Sequence, residues 1–138
     1  MRIYNLENNY SEGHAYSLNF KCTSNMAEYE ALSLGHKLVR NLGAKRVSVM
    51  GDSELIIKHI HAIYMTKDRR LSCYRRTIIE ILNTFLETKL AVIPRKHNMQ
   101  VHRLAMFSNT CKLPFQPNHH CTAKVRHRPT ISDNLKNW

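Results

Sequence analysis

Asn19-Phe20-Lys21-Cys22-Thr23-Ser24-Asn25-Met26-Ala27-Glu28-Tyr29-Glu30-Ala31-Leu32 passes from an alternating strand into a helix, and the rest of the chain can be ordered around that junction. Tyr16, Leu18, Phe20 and Cys22 fall on one side of an extended segment, with Ser17, Asn19 and Lys21 on the other. That alternation predicts a half-buried strand over His14–Cys22. Asn25 is a good helix N-cap, and Glu28 follows at the spacing of a reciprocal capping pair. Ala27, Ala31, Leu34, Leu38 and Leu42 then recur at helical spacing until Gly43 supplies a C-terminal stop.

Toward the N-terminus, Arg2–Asn8 reads as a short strand, joined through the turn residues of Asn8–Gly13 to His14–Cys22 as a hairpin. Toward the C-terminus, Arg46–Asp52 reads as a buried strand built on Val47, Val49 and Met50. A second helix uses Leu55, Ile56, Ile60 and Ile63, and a third, Arg69–Leu86, uses Leu71, Tyr74, Ile78, Ile81, Leu82 and Phe85. Lys89–Pro94 gives one more strand, Arg95–Asn98 a basic loop and Gln100–Ser108 a last short helix. Hairpin strands followed by strands separated by helices predict an α/β fold, a mixed sheet with helices packed on it. From Thr110 onward the periodicity gives way to Pro114, Pro117 and Pro129, several histidines, and Lys124, Arg126 and Arg128. Residues 110–138 are therefore expected to be a disordered basic tail behind a domain of residues 1–109.

A chain of 138 residues suffices for one domain with a sizeable core. Hydrophobic residues at 43% and charged residues at 22% argue against disorder throughout. The formal net charge of +11 points instead to a polyanionic partner, nucleic acid before an anionic membrane. Met1–Gly13 lacks the apolar core of a signal peptide, and no run reaches the length of a membrane span. The expectation is an intracellular protein, cytoplasmic or nuclear, with no membrane partner. Cys22, Cys73, Cys111 and Cys121 have no framework spacing, which suits reduced thiols. His119, His120, Cys121 and Cys111 fit no usual zinc finger or knuckle.

Two carboxylates stand out by position. Asp52 ends a buried strand, where ligands of open α/β sheets bind, and Glu28 lies near the start of the first helix. Together they make a half-site for a hard divalent cation, which takes oxygen ligands. Each also has a plainer reading: Glu28 completing a capping box with Asn25, and Asp52 capping the next helix.

Residues 19–32, quoted above, resemble the signature of plant retroelement ribonuclease H domains, and Gly51-Asp52-Ser53-Glu54-Leu55 resembles a second signature of that family. Leu42-Gly43-Ala44-Lys45, Tyr64-Met65-Thr66-Lys67-Asp68, and Ile93-Pro94-Arg95 with Asn98 fit in order between and beyond them. The resemblance implies a Mg²⁺-dependent nuclease that cuts the RNA strand of an RNA–DNA hybrid, with carboxylates holding two metal ions. Glu28 and Asp52 match two of those carboxylates, as catalytic and metal-binding residues. Asn25 matches the position that contacts the hybrid's sugar–phosphate edge, where a 2′-hydroxyl marks RNA.

Two departures from the family pattern set the activity expected. No acidic residue precedes the hairpin to serve as the first carboxylate, since Glu7 and Glu12 belong to the hairpin itself. The first strand of the family fold is thus expected to be missing, leaving an unpaired sheet edge open to self-association. In Val101-His102-Arg103-Leu104-Ala105, His102 takes the place of the fourth carboxylate, and a neutral imidazole is a poor Mg²⁺ ligand. Each lost charge weakens a dication by roughly 4 kcal/mol at about 4 Å and an effective dielectric near 20, an upper guide. The expectation is weak metal binding and trace hydrolysis at most.

Lys67, Arg69, Arg70, Arg75 and Arg76 cluster at the third helix, either as a phosphate-binding ridge or as a solvated face. Arg95, Lys96 and His97 add a basic loop, and Arg69, Arg70 and Arg95 are the residues assigned to nucleic acid. Three readings follow: a hybrid ribonuclease, a non-catalytic nucleic-acid-binding remnant, and a translated retroelement fragment without a stable role. Salt-dependent binding separates the second from the third.

Overall fold

The computed structural model describes residues 1–5, 10–62, 65–98 and 120–131. It divides into two compact units, Met1–Phe20 with Arg95–Arg128, and Lys21–Pro94 with Pro129–Trp138.

In the first unit, β1 (Arg2–Asn5) and β2 (Tyr10–Leu18) form the expected antiparallel hairpin, in register from Arg2 opposite Gly13 to Asn5 opposite Tyr10. The second strand begins and ends earlier than its side-chain alternation suggests, because backbone pairing continues through Gly13, where no side chain marks a face. The other edge of β2 is taken by β5 (His120–Arg126), which runs parallel to it from Glu12 opposite His120 to Leu18 opposite Arg126. The sheet order is β1-β2-β5. This corrects the expectation of a tail without regular structure at residues 120–126. Thr122, Ala123, Lys124 and Val125 are all exposed, so these four positions have no buried face to impose an alternation.

In the second unit, α1 (Ser24–Asn41) packs on α3 (Arg69–Leu82), and β3 (Arg46–Gly51) pairs in parallel with β4 (Glu87–Val92). The chain passes between these strands through α2 (Glu54–Ile60) and α3, as parallel strands require a crossover. The architecture is mixed α/β as expected, but its described strands fall into two sheets rather than one. The helix Gln100–Ser108, with His102, lies outside the described residues, as do Glu7, Ile63, Tyr64, Cys111 and His119.

Helix α1 ends as its sequence predicts. Gly43, at φ +87°, donates its N–H to the Arg40 carbonyl and Ala44 donates to Val39, the paired bonds of a Schellman motif. Its buried face differs from the apolar stripe. Met26, Tyr29, Glu30, Ser33, Leu34 and His36 are buried, whereas Leu42 is exposed. Two of the polar side chains in core positions, Glu30 and His36, have partners inside. Glu30 is fully buried and accepts from the Tyr74 hydroxyl and from the Thr130 backbone N–H at 2.9 and 3.1 Å. His36 Nδ1 meets the Leu32 carbonyl at 2.6 Å, and its ring lies edge-on to Phe85.

The core joins Met26, Tyr29, Ile56, Ile60, Leu71, Tyr74, Ile78 and Ile131. Tyr29 and Tyr74 stack with centroids 5.6 Å apart, and the Tyr29 hydroxyl lies 2.5 Å from His59 Nδ1. Burial pushes both phenols above their ordinary pKa, in Tyr74 with help from Glu30, so both remain neutral. Ile131 is thus a core residue delivered from a segment expected to be tail. Ile131→Ala is expected to lower unfolding free energy by about 2–5 kcal/mol in urea titrations. A loss within about 0.5 kcal/mol, ordinary for surface positions, would place Ile131 outside the core.

His36 and His59 are buried in neutral form. Burial lowers both pKa values below 6.5, aided at His59 by the Arg75 charge and partly offset at His36 by the Leu32 carbonyl. Their contribution to stability is full above the unfolded value of 6.5 and is lost as pH falls through the lower folded values. The urea midpoint is expected to drop between about pH 7.5 and about pH 5, with a shallower drop in His59→Asn. A flat midpoint over that range would contradict neutral burial.

Candidate functional site

Thr23, not Asn25, caps α1: it is extended at φ −78° and ψ 167°, and its Oγ1 accepts from the Met26 N–H at 3.2 Å. A hydroxyl on the residue leaving the extended segment reaches the free N–H first, and this moves the helix start upstream of the predicted one. Asn25 becomes the second helical residue and is half-buried. Glu28 falls in the second turn, exposed, beyond the position from which a capping-box acid reaches back. The capping reading of Glu28 is therefore set aside.

Asp52 lies in the bend after β3, half-buried, with the Ile93 N–H donating to the adjacent Gly51 carbonyl at 2.9 Å. Ser53 holds the N-cap position of α2 without a side-chain bond, and its carbonyl accepts from Ile57. Asp52 is not the cap either. Glu54, next along, is engaged by Lys58 at 2.6 Å, which holds its carboxyl below the usual range.

Glu28 and Asp52 bring hard oxygen donors of the kind Mg²⁺ takes. Among the described residues, no group of three or more His, Cys, Asp and Glu is arranged to hold a metal ion. As anionic donors, Glu28 and Asp52 by themselves are too few for a pair of divalent cations.

The basic residues at α3 separate into different jobs. Arg75 is half-buried and donates Nε to the His59 carbonyl at 2.8 Å and Nη2 to the Ile60 carbonyl at 3.3 Å. It thus closes the C-terminus of α2, where a positive charge meets unsatisfied carbonyls. This removes Arg75 from the expected phosphate ridge. Arg70 is half-buried, its N–H capped by Asp68 Oδ1 at 2.9 Å and its Nε 3.6 Å from the same oxygen. Lys67, Arg69 and Arg76 are exposed, and Arg69 and Arg76 lie two turns apart on one helix face. Arg95 opens a single 3-10 turn, Arg95–Asn98, in the other unit, and Lys96 beside it is exposed.

Sequence reasoning missed the buried Glu30–Tyr74–Thr130 cluster. A charged residue between apolar positions reads as solvated, and its backbone partner lies 100 residues away. It also missed β5.

Arg75→Met is expected to cost about 1–3 kcal/mol of stability, the worth of hydrogen bonds to a charged group, and to leave nucleic-acid affinity unchanged. Arg69→Gln is expected to do the opposite. Urea titration and fluorescence anisotropy of both variants check the division, and a stability loss confined to Arg69→Gln would reverse it.

Comparison with known proteins places this geometry. The sequence matches the reverse-transcriptase-like family over residues 3–108. It is 29% identical over 85 residues to ribonuclease HI of Halobacterium salinarum, covering 62% of this chain and 43% of that protein. The chain thus spans less than half the length of that curated relative. The crystal structure of RNase H1 from the same archaeon matches with a TM-score of 0.64 at 27% identity, over 66% of this chain and 69% of that one. The N-terminal RNase H domain of a Mycobacterium tuberculosis protein, solved as a fusion with maltose-binding protein, matches with a TM-score of 0.58 at 27% identity, over 61% and 64%. On the matched residues and the shared fold, the chain belongs to the reverse-transcriptase-like family and carries a ribonuclease H-like domain.

Proposed function

We propose that this chain binds nucleic acid, with RNA–DNA hybrid as its preferred form, and hydrolyses it only in traces. The observation that carries this reading is the placement of two acids, Glu28 exposed in the second turn of α1 and Asp52 at the end of β3, with Thr23 and Ser53 in the N-cap positions. The exposed Lys67, Arg69 and Arg76, in a chain of net charge +11, supply cations for phosphates. Resemblance to ribonucleases H supports the hybrid as the form taken, with Asn25 at the sugar–phosphate edge and Arg70 and Arg95 as further contacts.

The limit on hydrolysis is electrostatic. Cleavage by paired Mg²⁺ ions needs enough negative charge to hold both beside a phosphodiester, and Glu28 and Asp52 by themselves fall short of that. Bound phosphates can recruit a cation transiently, which suits binding with slow turnover.

Two measurements test the reading. Anisotropy with a labelled hybrid is expected to show affinity that falls as salt rises, by a log–log slope of about 0.9 for each phosphate neutralised. No binding even at low salt would end the proposal. Single-turnover cleavage of the labelled RNA strand in Mg²⁺ is expected to stay near the no-enzyme rate. Efficient cleavage by the parent chain that disappears in Glu28→Gln or Asp52→Asn would show a working nuclease instead.

A further inference from the structure

Strand β5 lies beyond the stretch that the family accounts for: the match ends at residue 108, and β5 begins at His120. It adds an edge strand to the β1–β2 hairpin, and its outer edge pairs with no other described strand. Lys124 is exposed within it, Arg126 ends it, and His127 and Arg128 follow, both exposed. His120–Arg128 contains no acidic residue. The one acid of β2, Glu12, lies opposite His120 and is engaged by His14 Nε2 at 2.9 Å. The strand's positive charge is thus not neutralised from within its own ladder.

The end of β5 is pinned in place. The Asn19 N–H donates to the Arg126 carbonyl at 2.7 Å, and the Asn19 side-chain amide lies 3.2 Å from His127 Nδ1. Arg126 Nη2 reaches the Arg128 carbonyl at 3.4 Å. Residues two apart on a strand share a face at about 6.6 Å spacing, but Arg126 is half-buried, so Lys124 and Arg128 are the exposed members of the Lys124–Arg126–Arg128 series. Between them stands only Val125 as an exposed apolar side chain, with Thr122 and Ala123 before it. That is too little apolar surface to enter a bilayer.

We propose that β5 and the residues just after it form a second nucleic-acid-binding surface, with Lys124 and Arg128 as its exposed phosphate contacts. It reads backbone charge and not base sequence, and it acts on hybrid and duplex DNA alike. This rests on the nucleic-acid-binding reading above and adds to it a place on the chain.

The test uses the full chain with labelled RNA–DNA hybrid and labelled duplex DNA, titrated across a salt series. Lys124→Gln with Arg128→Gln is expected to flatten the log–log salt slope by about two on both ligands, because two phosphate contacts are lost. Lys45→Gln with Lys89→Gln removes the same charge from exposed positions elsewhere and is expected to leave the slope as in the parent. Circular dichroism of both variants should match the parent, since all four side chains are exposed. A parent that binds with an unchanged slope in the β5 variant overturns this inference and leaves the broader reading standing. Equal flattening in the control variant also overturns it, since net charge would then suffice. Loss of binding to phosphatidylserine vesicles, with the nucleic-acid slope intact, reassigns the surface to membranes. A parent that binds neither nucleic acid overturns the broader reading, and this one with it.

Discussion

A carboxylate with no exposed surface governs how the helical unit is put together. Glu30 sits among Tyr74, Thr130 and the stacked Tyr29, and a buried acidic side chain is tolerated only when hydrogen-bond partners replace water. The Tyr74 hydroxyl comes from α3 and the Thr130 N–H from far along the chain, so two segments are held to α1 through one side chain. The aromatic stack extends this to α2 through His59, and Arg75 returns from α3 to the α2 carbonyls. Polar bonds thus specify which apolar surfaces meet. Once each donor and acceptor is matched, sliding one helix past another would strand a polar group in the core.

The same network explains what the sequence allowed to be read. Helix α1, its glycine stop and the position of the strand before Asp52 were legible because local chemistry decides them: Gly43 adopts the positive φ that closes a helix, and Val47 and Val49 favour a strand. β3 is nevertheless not the buried strand expected, and Met50 is exposed. The buried face of α1 was not legible, because Glu30, Ser33 and His36 are polar by type, and the partners of Glu30 lie 44 and 100 residues away. β5 escaped for the converse reason. Thr122–Val125, exposed on successive positions, carry no periodic signature, and pairing with the edge of β2 gives the segment its conformation.

At the candidate site, the two carboxylates were legible as residues but not in their roles. Spacing alone favoured Asn25 as a cap with Glu28 answering it, yet the Thr23 hydroxyl reaches the helix start first and shifts the frame. Small displacements of this kind decide whether an acid serves its own helix or faces outward. Arg75 gives the opposite case. It looked like part of a surface ridge, and it spends its guanidinium on backbone carbonyls inside the fold.

The bond between Glu30 and Thr130 also bears on how the protein is made. A ribosome releases the chain from its N-terminus onward, so α1 emerges well before the segment that satisfies its buried acid. Until Thr130 and Ile131 leave the exit tunnel, the nascent helices have an unfilled socket and an underserved carboxylate. Completion of this unit therefore waits for the segment that carries Thr130 and Ile131. Nascent chains stalled before that point would be preferred clients for chaperones and proteases.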